Sequence, residues 1–213
     1  MRVFSKMATA LLTENYLLQR DTQWPCKGSH ILAQYDDNSV VVYQAYNPEI
    51  ASYAVENQRF GGPKFSFQRM SWVKTNFLWM MYRCGWASKA NQQRVLAVWL
   101  KRSAFDNILS QAYTPKEQKK AELEEIFVRL QWDPDHNPHG EKEERRAIQL
   151  GLRGEVLQKY ATEWIHKIED VTAFVHEQKR ILDSEKIENL ITAKETVYPV
   201  TNPKTAQLIG VDI

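Results

Sequence analysis

Arg69-Met-Ser-Trp-Val-Lys-Thr-Asn-Phe-Leu-Trp-Met-Met-Tyr-Arg-Cys-Gly-Trp86 holds three of the seven tryptophans, three methionines, Phe77 and Tyr82, together with Arg69, Lys74 and Arg83. A plain core segment avoids such cations, because a buried charge must be paired or hydrogen-bonded. Thr75 or Asn76 can cap a helix from Phe77 to Arg83, and Gly85 can terminate it. That helix is apolar nearly all round, which predicts burial. Arg83 at its C-terminus complements the helix dipole, whereas Lys74 at its N-terminus opposes it and needs another reason to be present.

The surrounding window sharpens the point. From Asn57 to Phe105 there are nine Lys or Arg and no Asp or Glu, while ten acids fall between Asp106 and Glu144. A net charge of +2 therefore conceals a basic face and an acidic one. The simplest external counter-charge for the basic face is a phosphate-bearing partner.

A chain of 213 residues with 43% hydrophobic and 25% charged residues suits one soluble domain with short appendages. The expected organisation is an N-terminal helix or arm over residues 1–20, an α+β domain over 21–200 and a C-terminal tail over 201–213. Two cysteines, Cys26 and Cys84, are too few for a disulfide framework and read as reduced, partly buried thiols. No apolar run approaches the roughly 18 residues of a membrane span. Thr13, Glu14 and Asn15 interrupt the apolar patch at Ala8–Leu12 before it becomes a secretory core, although a transit peptide is an alternative. An intracellular, cytoplasmic protein is expected.

Ile31–Tyr35 and Val40–Tyr43 read as a hairpin around an Asp36–Ser39 turn. Asn47 and Pro48 open a helix that stops near Arg59, before the Gly61-Gly62-Pro63 break, so the corner Gln44–Tyr46 faces whatever binds there. Arg94–Leu100 reads as a central strand, Phe105–Ala112 as a short helix and Lys116–Glu125 as a charged helix started by Thr114-Pro115. Residues 127–132 pair antiparallel with Ala147–Leu152 across a polar loop at Asp133–Gly140. A helix over Gly154–Trp164, an extended Ile165–Ile168, a helix starting at Asp170 and an edge strand at Thr196–Val200 complete the chain. The order and type of these elements predict an α+β fold, a mostly antiparallel split sheet with flanking helices.

Phosphate-binding glycine loops, dinucleotide fingerprints, His-Glu-x-x-His, Cys-x-x-Cys and Gly-x-Ser-x-Gly are all absent. Three constellations remain. The first is the basic aromatic window, in which Arg69 and Lys74, beside Ser71 and Trp72, are the preferred phosphate ligands, with Arg59 and Lys64 as further basic contacts. A core of rings with solvated cations is the competing structural reading. The second is Gln131-Trp-Asp133, with His136 nearby. A carboxylate two residues from an amide on one pleat can act as a base or stabilise a cationic transition state. Asp133, Asp135, His136 and His139 also have the types for a divalent ion, though their spacing matches no strong metal pattern. The third is Arg145-Arg146 leading to Gln149 and Gly151, where a missing side chain would let a ligand approach the sheet.

These motifs carry a resemblance. His30–Asp36, Val42–Tyr46, Arg69–Lys74 with Phe77–Arg83, Arg129–Pro134 and Ile148–Leu152 together resemble the widespread domain-of-unknown-function family numbered four-two-nine-one, over about residues 20 to 200. A weaker likeness is to ADP-ribosyltransferase folds, in which NAD lies in a cleft between two small sheets and a late-strand acid stabilises an oxocarbenium-like transition state. The chain departs from that pattern in two places. Gln44 or Tyr46 stands where those enzymes place a His or Arg, and Asp133 stands in place of the usual glutamate.

The function expected is therefore group transfer on a nucleotide or nucleic acid, with NAD as the cofactor implied by the second resemblance. Gln131, Asp133 and His136 would serve the reacting centre. Tyr46, Arg69, Ser71, Trp72, Lys74 and Gln149 would hold the cofactor, and Arg59, Lys64, Arg145 and Arg146 would contact nucleic acid. The alternatives are a non-catalytic RNA- or nucleotide-binding module and a metal-dependent nuclease or phosphoesterase built on Asp133–His139.

Overall fold

The computed structural model describes residues 10–118 and 126–212. Along the chain these form β1 (Thr13–Asn15), α1 (Tyr16–Thr22), β2 (Gly28–Ser29), β3 (Leu32–Ala33), β4 (Ser39–Tyr46), α2 (Pro48–Asn57), β5 (Ser71–Lys74) and α3 (Phe77–Cys84). Next come β6 (Arg94–Lys101), α4 (Arg102–Ser110), β7 (Ala112–Tyr113), α5 (Pro115–Gln118), β8 (Val128–His136) and β9 (Lys142–Leu152). The last group is α6 (Gly154–Thr162), β10 (Ile165–Asp170), α7 (Thr172–Asp183), β11 (Ile191–Ala193), β12 (Thr196–Val197) and α8 (Pro203–Ile209).

The fold is α+β. Its main sheet runs β10-β6-β4-β5-β9-β8-β7, antiparallel except between β8 and β7, and β2 adds in parallel to the free stretch of β9. Two-stranded pairs β1-β11 and β12-β3 lie outside it. β4 and β6 read as continuous apolar runs because both their faces are covered. Val40, Val42, Leu96 and Val98 enter one core, with residues of α2, α4, α6 and α8. Val41, Tyr43, Val95, Ala97 and Trp99 enter a second, with residues of α1, α3 and α7. Among the described residues no helix is long and apolar enough to cross a membrane.

Several expectations hold in detail. Asn47 caps α2, its side chain accepting from the Ile50 N–H, and Asn76 caps α3 by accepting from Trp79. Gly85 ends α3 in the left-handed conformation that glycine adopts without strain. Glu117 reaches back to both the Thr114 N–H and its hydroxyl, a capping box at the start of α5. The pairing of residues 127–132 with 147–152 is present within β8-β9.

Others are corrected. Asp133–His136 is not loop: β8 continues through it, with a register shift between Pro134 and His136, and the turn is confined to Asn137–Glu141. Pro134 is tolerated there because the irregular pairing asks less of its missing N–H. Ser71–Lys74 forms a strand that its mixed composition hides. The segment read as a late edge strand is extended only over β12, which pairs with β3 and not with the main sheet. Asp170 ends β10 and accepts from the Thr172 N–H, so α7 begins two residues later than read. Residues 203–209, within the expected tail, form α8, whose Ile209 carbonyl accepts from the Trp132 indole. Cys84 is buried, but Cys26 is exposed. Residues 1–9 and 119–125, where part of the leading arm and of the charged helix were expected, lie outside the described residues.

Candidate functional site

β4 and β5 touch through a single residue pair, Tyr43–Lys74. Beyond it the strands part, and the backbone Trp72 carbonyl loses its ladder partner. The Gln44 amide fills the opening: its Nε2 lies 2.8 Å from Ser71 Oγ, 2.9 Å from Tyr46 Oη and 3.2 Å from the Trp72 carbonyl. Tyr160 Oη donates to Gln44 Oε1 at 2.7 Å, and Tyr46 and Ser71 share a further bond of 2.8 Å. Burial holds the Tyr46 hydroxyl pKa up at about 12, so it stays a neutral hydroxyl.

The parting strands open a cleft of about 740 Å³. Its walls are the end of β4, the start of α2, the 64–70 loop, β5, Met80 and Arg83 of α3, Asn91-Gln92, and Gln149 of β9. Tyr46, Lys64, Arg69, Ser71, Trp72, Lys74 and Gln149 all line it, so seven residues singled out from the sequence converge here. No described Asp or Glu lines it. Lys64 reaches Glu49 at 3.6 Å across an exposed surface, an ion pair worth little in water.

Lys74 sits at the hinge of this opening. It pairs with Tyr43 on one side and Gln149 on the other, at the last residue of β5. Only 5% of its surface is exposed, because α3 packs over it. Its ammonium makes no hydrogen bond or ion pair with the described residues and instead lies 4.9 Å from the centre of the Trp79 ring. Burial first, and the nearby Arg83 charge second, hold its pKa down at about 7, against a smaller opposing pull from Asp133. The cation that opposed the dipole of α3 is thus a desolvated amine facing a cleft.

Behind the cleft wall the same row continues. Cross-strand pairs face alike, so Lys74, Gln149 and Gln131 share one side of the sheet. Gln149 Nε2 donates to Asp133 Oδ2 at 2.5 Å and to Gln131 Oε1 at 2.8 Å. Gln131 and Asp133 therefore stand one side chain behind the cleft, with Gln149 between. Burial raises the Asp133 pKa, partly offset by Gln149 and Lys74.

Gly151 does not leave the gap expected of it. A Cβ there would meet Met70 Sδ at 2.5 Å and the Trp72 ring at 3.0 Å, so the chain's own side chains cover the glycine. Gly151→Ala is accordingly expected to destabilise the fold by about 1–3 kcal/mol, the usual range for overpacking. It should also weaken ligand binding by displacing the Trp72 wall. Urea unfolding, with indole fluorescence reporting on the ring, measures both.

The remaining candidates lie elsewhere. Arg59 and Arg146 are exposed and do not line the cleft. Arg145 is buried against Asp135, with Nη2 and Nε 2.7 and 2.8 Å from Oδ2, and so is an internal ion pair. His136 is 4% exposed, its ring stacked on Tyr82 with centroids 3.5 Å apart. It lines a second cavity of about 100 Å³ with Arg145 and Cys26. Among the described residues no three of His, Cys, Asp and Glu come together as a metal cage. Arg83 is a charged cleft residue not expected from the sequence, since its place at a helix C-terminus already explained it; Asn91 and Gln92 carry no local signal at all.

A comparison with curated proteins gave no match. The family described as domain of unknown function DUF4291 matches residues 30–198, which include every cleft-lining residue named above. The chain therefore belongs to the DUF4291 family.

Proposed function

We propose that the cleft between β4 and β5 binds a nucleotide and supports group transfer at its ribose, in the manner of an NAD-dependent ADP-ribosyltransferase. The observation that carries this reading is the convergence of Lys64, Arg69, Lys74 and Arg83 with Trp72 and Phe65 on one acid-free cleft. Arg69 and Arg83 form no ion pair among the described residues, and Lys64 forms only the exposed one with Glu49, so these cations suit a pyrophosphate, while rings suit a base or nicotinamide. The volume of about 740 Å³ lies within the range of small-molecule sites. Asp133, held behind Gln149, would steady positive charge at a reacting ribose carbon through the Gln149 amide.

Calorimetry with NAD tests the reading. Wild type should bind, and Arg69→Ala should weaken binding ten- to a hundredfold, the usual value of a charge-assisted contact. Asp133→Asn should leave binding nearly intact while abolishing release of nicotinamide. Binding without any nicotinamide release in the wild type would make the protein a nucleotide-binding module, and no binding of NAD sinks the cofactor assignment.

A further inference from the structure

We infer that Lys74 is an imine-forming nucleophile whose substrates are phosphorylated sugars presenting an open-chain aldehyde, ADP-ribose being the representative. This rests on the cleft reading above and adds to it a covalent step at a named atom.

The geometry leads. A lysine meant only to hold phosphate would keep its ammonium solvated or paired. Lys74 instead has its stem enclosed by α3 and its nitrogen beside the Trp79 ring, with no hydrogen bond or ion pair among the described residues, yet it lines the cleft. Desolvation with a second cation nearby is the arrangement that activates lysine amines toward carbonyls. The titratable groups around it are Arg83 and the Cys84 thiol, which burial keeps neutral, from α3 and Asp133 from β8. Its pKa of about 7 leaves half the amine neutral at pH 7. An ordinary lysine near 10.4 has a neutral fraction on the order of a thousandfold smaller at that pH.

The step balances without a further reagent. The Nζ lone pair attacks the aldehyde carbon of the open-chain ribose and the C=O π electrons pass to oxygen, which takes a proton to give a carbinolamine. Loss of the second nitrogen proton and of that hydroxyl as water leaves a neutral C=N bond. The proton that the nitrogen gives up in the addition passes through solvent in the cleft to the carbonyl oxygen. Lys64 and Arg69 at the outer rim would hold the phosphates while the aldehyde reaches inward to Lys74.

The experiment incubates the full chain with ADP-ribose at pH 7, reduces with borohydride, and maps the modified lysine by peptide mass. Calorimetry with ADP-ribose, without reductant, runs in parallel. The expected result is an adduct at Lys74 at least about tenfold above that at any surface lysine. Its formation should rise through pH 7, while surface lysines are trapped only toward pH 10. Glucose, which lacks the phosphates, should give no preference for Lys74. Lys74→Arg should give no specific adduct. The pH profile of wild type alone carries the test should that variant fail to fold. ADP-ribose binding with trapping spread over surface lysines overturns the imine assignment and leaves the cleft reading standing. No binding overturns both.

Discussion

Lys74→Met is expected to be more stable than the parent protein at pH 6, by on the order of 4 kcal/mol, and to have lost the specific adduct with ADP-ribose. The sign follows from the pKa of about 7 in the folded chain against 10.5 for a free lysine. In the unfolded chain the amine keeps its proton up to about pH 10.5, whereas in the folded chain it releases it near pH 7. Between those values the unfolded state binds more protons, so the contribution of Lys74 to stability falls as pH falls from 10.5 to 7 and stays at its minimum below. Methionine keeps the unbranched stem, carries no charge, and places a sulfur against Trp79, so it removes the penalty without opening a cavity. Urea unfolding of both proteins at pH 6, 8 and 10 reads the difference. It should be largest at pH 6 and shrink to about 1 kcal/mol or less at pH 10. Titrating groups that do not couple to the amine, such as the buried Glu195, act on both proteins and cancel in the comparison, whereas Asp133 couples to it directly and adds a smaller difference of its own. A variant that is less stable at pH 6, or a difference that ignores pH, would show the ammonium to be compensated in place. A residue that lowers stability where it sits, and whose removal abolishes chemistry, is a functional residue.

How far the chain discloses itself can be judged from particular residues. The caps at Asn47 and Asn76, the stop at Gly85 and the pairing of 127–132 with 147–152 were legible because each depends on neighbours a few residues apart. Lys74 was legible as an anomaly, since no local rule accounted for it. β5 was hidden, because Ser71, Trp72, Val73 and Lys74 become a strand only by pairing with β9, some eighty residues later. The extension of β8 through Pro134 was hidden for the same reason, with turn-forming residues outvoted by the partner strand. The cleft itself depends on β4 and β5 sharing one residue pair and then parting, a feature of sheet order that no local pattern contains. Arg145 shows the opposite error: an arginine beside a second arginine reads as a nucleic-acid contact, yet its partner Asp135 lies ten residues away on the adjacent strand.

That buried pair sets the second large effect. Asp135→Ala is expected to destabilise the protein by about 3–5 kcal/mol, because it leaves the Arg145 guanidinium enclosed and without its counter-ion. The Arg145 and Asp135 side chains are only 7% and 1% exposed. The guanidinium also donates to the Pro25 carbonyl at 2.6 Å and lies 5.4 Å from the Trp24 ring. Asp135 accepts from the His136 N–H at 2.7 Å and, at a longer 3.4 Å, from the Asn76 side chain that caps α3. The pair therefore ties the 24–25 segment, β8 and β9 to the start of the helix that covers Lys74. Replacing both partners by apolar residues, Asp135→Leu with Arg145→Met, should recover most of the loss, since neither charge is then stranded. The two variants separate stability from positioning. If the Asn76 contact helps hold α3 down, Asp135→Ala admits water to Lys74, and the pH at which the Lys74 adduct forms moves from about 7 toward that of an ordinary lysine. In the double apolar variant the stability returns, but that pH should stay shifted, because Asn76 still lacks its carboxylate. A midpoint unmoved in both would confine the pair to holding the fold, with α3 kept in place by its apolar contacts to the second core alone.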